Sequence, residues 1–148
     1  MSARARRTVA GLTAAALLTL TLAPGAAAGG RPFTTDLTGE AEVSATGVPN
    51  QGDLDGFGTA ELTINPGLGQ VCWSIEVSDV ETITAAHIHV SPVISAGPVV
   101  VPLNPYASGC VDVDRELALA IIHDPSAYYV NVHNATYPAG ALRGQLGR

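Results

Sequence analysis

Gln70-Val71-Cys72-Trp73-Ser74-Ile75-Glu76-Val77-Ser78 is the stretch that decides the fold class. Val71, Trp73, Ile75 and Val77 alternate with Cys72, Ser74, Glu76 and Ser78. Successive side chains of a strand point to opposite faces, so this period of two gives one large apolar face for a core and one polar face. Upstream, Asn65-Pro66-Gly67 supplies a turn, and Ala60, Leu62 and Ile64 alternate with Thr59, Glu61 and Thr63. Further upstream, Leu37, Gly39, Ala41 and Val43 alternate with Thr38, Glu40 and Glu42, which predicts a first strand with its carboxylates turned to solvent.

Downstream, the same rule turns Ala86, Ile88 and Val90 inward and His87 and His89 outward. It sets Tyr128, Val130 and Val132 against Tyr129, Asn131 and His133, and separates Leu142 and Leu146 from Arg143 and Gln145. A single short helix is predicted from Asp114 to His123, capped by Asp114, striped by Leu117, Ala120 and Ile121, and stopped at Asp124-Pro125. His123 falls at its C-terminus, where the free carbonyls and helix dipole suit it. Short strands separated by glycine, proline, asparagine and aspartate define an all-β chain, an antiparallel β-sandwich or Greek-key barrel with one short helix. Trp73, Ile75, Ile88, Val130, Val132 and Leu142 are its expected core.

Residues 1–28 read differently. Arg4, Arg6 and Arg7 precede an uncharged apolar run from Val9 to Leu22, and Pro24-Gly25-Ala26-Ala27-Ala28 ends in small residues. This is the pattern of a secretory signal peptide cleaved after Ala28, leaving one domain at 29–148 and no membrane span in the mature chain. No cysteine stands near the cleavage point to receive a lipid. The remaining chain has four arginines against 13 acidic residues, a formal charge of −9 without a lysine. Such a surface repels nucleic acid and anionic lipid, and leaves cationic partners and metal ions as the more natural ligands. Cys72 and Cys110 are the only two cysteines, and in an exported chain they are expected to form a structural disulfide rather than a thiolate site.

Four ordered blocks resemble a known family. Thr38-Gly39-Glu40-Ala41-Glu42-Val43, Ala86-His87-Ile88-His89, Gly97-Pro98-Val99-Val100, and Tyr128-Tyr129-Val130-Asn131-Val132-His133 running through Pro138-x-Gly140 to Arg143-Gly144-Gln145-Leu146 look like the signature of CHRD domains, first described in chordin. The pattern departs at Ser44, at Val90-Ser91-Pro92, at Asn134 and at Ala141, where a glutamate is usual. That last change removes a possible carboxylate partner for the arginine or for a metal. The resemblance implies a secreted β domain. In chordin such domains accompany extracellular growth-factor antagonism.

His87, His89 and His133 carry the functional hypothesis. His87 and His89 at i and i+2 project side by side, and His133 from another strand would complete a three-nitrogen site for copper or zinc. Asn131, Arg143 and Gln145 would stand behind the ligands. The His-x-His spacing is also that of the copper-zinc superoxide dismutases, but their further histidines and bridging aspartate have no counterparts here. The alternative is a hydrogen-bonded network of the same six residues that joins strands beneath a loop and holds no ligand. Other motifs offer less. No Gly-x-Ser-x-Gly elbow is present, Asp53-x-Asp55-Gly56 is half a calcium loop that runs into a strand, and Asn134-Ala135-Thr136 is a glycosylation sequon. Glu40 and Glu42 read as a solvated strand face, or, if their strand adjoins the histidines, as acceptors for a metal or an arginine. The sequence thus predicts a secreted or cell-envelope, non-catalytic binding module for an extracellular protein or ligand, with a three-histidine metal protein, copper or zinc, as the alternative.

Overall fold

A computed structural model describes residues 29–147, so the predicted signal peptide lies outside the described residues. The chain forms β1 (Arg31–Thr38), β2 (Phe57–Asn65), β3 (Gln70–Ser78), β4 (Ile83–Val90), β5 (Val99–Pro102), β6 (Ser108–Asp112), α1 (Arg115–His123), β7 (Tyr128–Asn134) and β8 (Leu142–Gln145). All eight strands join one sheet in the order β5-β4-β7-β8-β1-β2-β3-β6, and every neighbouring pair is antiparallel.

Chain length forces this sheet to curl. At the usual strand spacing a flat eight-stranded sheet would hold its two edges about 34 Å apart. The edges are β5 and β6, yet only residues 103–107 join them, a link that reaches at most about 22 Å. The sheet therefore rolls into a nearly closed barrel. Trp73 fastens the closing link, its indole Nε1 donating to the carbonyls of Pro105 and Tyr106, each at 3.1 Å.

The barrel interior is what the alternation predicts. Leu37 from β1, Ala60, Leu62 and Ile64 from β2, Val71, Trp73 and Ile75 from β3, Ile88 from β4, Val130 and Val132 from β7 and Leu142 from β8 are all buried in one apolar cluster. The helix begins at Arg115. Asp114 precedes it without a side-chain capping bond, contrary to expectation. Ile121 is buried and Leu117 packs against the core as the stripe predicts, but Ala118 is buried where Ala120 was expected, and Ala120 is exposed. Ala118 and Ile121 are three apart and share a face, whereas Ala120 projects away from it.

Cys72 and Cys110 are register partners on β3 and β6 and form a disulfide that ties the edge strand to the sheet. Because their separation is 38 residues, replacing both by alanine is expected to lower stability by about 3–4 kcal/mol in urea denaturation. A loss below about 1 kcal/mol would show that edge pairing alone retains β6.

The first predicted strand needs the largest correction. β1 ends at Thr38, and residues 39–43 turn away from the sheet. Gly39 accepts hydrogen bonds from the amides of Glu42 and Gly52, and its Cα lies so close to the Asp53 backbone that any side chain would collide there. The alternation seen in the sequence through Val43 is thus cut by a backbone-on-backbone contact with a segment a dozen residues later. That contact turns Glu42 inward, over the outer face of β7.

Candidate metal centre

β7 is buried on both faces along its whole length. Its inner face belongs to the barrel core. Its outer face, Tyr129, Asn131 and His133, is roofed by three segments. Residues 39–53 bring Glu42 onto Asn131, residues 135–141 lay Gly140 over that pair, and residues 91–98 cross β4 and β8. The polar face read from the sequence is therefore an enclosed layer.

Register brings the predicted residues together. Across β4 and β7, His87 faces Asn131 and His89 faces Tyr129; across β7 and β8, Asn131 faces Arg143 and Tyr129 faces Gln145. His87 is half-buried, His89 is 8% exposed and His133 9%. The ring centroids lie 5.6 Å apart for His87 and His89, 5.0 Å for His87 and His133, and 6.0 Å for His89 and His133. One nitrogen from each ring falls within 4.8 Å of the others, and among the described residues this is the one His, Cys, Asp and Glu grouping with that property.

The hydrogen bonds set the tautomers. His89 Nδ1 lies 2.8 Å from the Gly97 carbonyl and His133 Nδ1 lies 3.2 Å from the Pro138 carbonyl. A carbonyl only accepts, so both Nδ1 atoms carry the proton and both Nε2 atoms present a lone pair. His89 Nε2 is buried and has no partner. His87 Nδ1 is 3.1 Å from His133 Nε2. Two nitrogens on a tetrahedral ion at the usual 2.0–2.1 Å stand about 3.3–3.4 Å apart, so this spacing fits a shared ion as well as a hydrogen bond. Ligating histidines commonly give their second N–H to a backbone carbonyl, as His89 and His133 do.

Behind the rings, Tyr129 stacks on His89 with centroids 4.8 Å apart and planes 13° from parallel. The Arg143 guanidinium lies 3.6 Å from the Tyr129 ring centre. Arg143 is 0% exposed. Its Nη1 donates to Ser95 O, and its Nη2 to Pro92 O and Gln145 Oε1. Gln145 Nε2 in turn donates to the carbonyls of Ser91, Ser126 and Tyr128. Loop 91–98 is thus held by Arg143, Gln145, His89 and the Tyr129 hydroxyl, which accepts from the Gly97 amide. The predicted supporting residues converge, but Arg143 reaches the histidines through Tyr129.

Sequence reasoning did not single out Tyr129 as a site residue, and offered Glu42 only as a conditional acceptor for a metal or an arginine. Tyr129 shares the phase of Asn131 and His133, so a signal for it was present. Glu42, expected to be solvated, is 3% exposed and accepts from Asn131 Nδ2. Burial pushes its carboxyl above the usual range, with Arg143 and Asn131 opposing. It supplies near Arg143 the carboxylate that Ala141 does not. The sequon residue Asn134 is also buried, its Oδ1 accepting from the Tyr137 amide, which leaves no room for a glycan.

Burial favours the neutral form of all three rings. Desolvation lowers His87 and His89, and desolvation with the neighbouring His87 lowers His133 to about 4. Unfolded His133 titrates near 6.5, so between there and about 4 the unfolded chain binds more protons and stability rises with pH. Metal-free protein should therefore hold its full His133 contribution above about pH 6.5 and lose it as pH falls towards 4. Urea denaturation from pH 4 to 8 checks this, and the slope should shrink in His133→Gln.

An antiparallel barrel carrying a loop-roofed histidine layer defines the class. Residues 33–146 match the CHRD domain family, so the chain belongs to it. No curated protein and no solved structure matches this chain.

Proposed function

We propose that this CHRD domain is an exported, non-catalytic binding module whose ligand is one first-row transition-metal ion, copper or zinc, held by His87 Nδ1, His89 Nε2 and His133 Nε2. The observation that carries this is His89 Nε2, a lone pair buried without a partner beside two further imidazole nitrogens. A buried polar atom without a partner is costly; Asn131 Oδ1, Asn134 Nδ2 and Arg143 Nε share that state, but of these residues His89 is the one that belongs to the three-imidazole grouping. Export is supported by the Cys72–Cys110 disulfide, by the family and by the leader-like residues 1–28. No helix among the described residues is long and apolar enough to cross a membrane.

Equilibrium dialysis of metal-stripped protein against Zn2+ or copper tests the reading. About one ion per chain is expected, and His87→Ala should abolish retention. Retention of neither metal would overturn it. A second reading, a protein-interaction module with no metal, is favoured by Val93 and Ile94, large apolar side chains exposed at the tip of loop 91–98. It predicts a partner whose binding is lost in Val93→Asp/Ile94→Asp and unaffected by chelators.

A further inference from the structure

Building on the metal reading, we infer that the site selects the cuprous ion, Cu+, over divalent ions. The ligand grouping contains three imidazoles and no carboxylate or thiolate. With neutral ligands the complex keeps the whole charge of its ion, +1 for Cu+ and +2 for Cu2+ or Zn2+. Transfer of an ion from water into a poorly polar site costs roughly the square of its charge, about fourfold more for the dication.

A fixed cation increases that difference. The Arg143 carbon is 3.6 Å from the Tyr129 ring centre, which is 4.8 Å from that of His89, placing the guanidinium within about 8.4 Å of the His89 ring. Both rings and the guanidinium are buried, so water screens this repulsion poorly, and it acts twice as strongly on a dication. Glu42, hydrogen-bonded to Asn131, offsets Arg143 in part. Three nitrogens also form a complete trigonal shell for Cu+, whereas structural zinc takes four ligands.

The test uses the disulfide-closed protein. Cu+ is supplied anaerobically as its acetonitrile complex against bathocuproine disulfonate, Cu2+ against glycine, and Zn2+ against a chromophoric chelator. The Kd for Cu+ should be at least about tenfold below that for Cu2+, which raises the reduction potential of bound copper by about 59 mV or more over the aqueous couple. Glu42→Gln keeps an acceptor for Asn131 but removes the offsetting charge, and should widen the ratio by about threefold or more. Equal or tighter binding of Cu2+, or an unchanged ratio in a folded Glu42→Gln, would overturn this inference and leave the metal site standing. Failure to bind any of the three ions would overturn both.

Discussion

Arg143→Ala should destabilise the domain by about 3–5 kcal/mol, a large part of the 5–15 kcal/mol that holds a typical domain folded. The side chain is fully buried, so its removal leaves a cavity against Tyr129. It also leaves the carbonyls of Pro92 and Ser95 and the Gln145 Oε1 without their donor. Glu42 loses the cation that opposes its burial. Arg143→Lys restores the charge but not the planar fork that reaches both loop carbonyls, and should recover less than half of the loss. Urea denaturation measures both variants, and hydrogen exchange at the Gly97 amide should report an unfastened loop 91–98. A cost for Arg143→Ala below about 1 kcal/mol would mean that the guanidinium does not hold the roof of the site.

His89→Ala should weaken metal binding by more than the roughly 10–100-fold that follows loss of a residue behind the ligands, because in the proposed site it removes one of three coordinating nitrogens. Metal at 100 times its Kd should stabilise the wild type by about 2.7 kcal/mol and leave the variant nearly unchanged. The metal-free variant should itself lose about 1–3 kcal/mol, since the Gly97 carbonyl is left unpaired and Tyr129 loses its stacking partner. The two effects separate when melting is followed with and without metal. If wild type and variant shift equally on metal addition, His89 is not a ligand.

The strands and the histidine cluster were legible because a period of two is a local property. Val71 to Val77 and Tyr128 to His133 each carry their own phase, and phase alone decides which residues share a face. Three histidines in one phase on two strands need only antiparallel pairing to meet, and β4 and β7 are neighbours. Glu42 could not be read that way. Its position follows from Gly39 touching the backbone of Gly52 and Asp53, a contact between segments whose pairing no local pattern encodes. The roof of the site has the same origin. Residues 91–98 contain no periodic signal, and their course is fixed by Arg143 and Gln145 some fifty positions away. The helix stripe was wrong at one position for a smaller reason, since Ala118 and Ala120 are both apolar and composition alone does not choose between them.

In the proposed centre three imidazoles close on one ion. X-ray absorption spectroscopy of the metal-loaded protein reads that shell directly. Three nitrogen scatterers with imidazole outer-shell features are expected at about 2.0–2.1 Å, one of which disappears in His89→Ala. A shell of oxygen scatterers without the imidazole signature, or one that His89→Ala leaves unchanged, would contradict it.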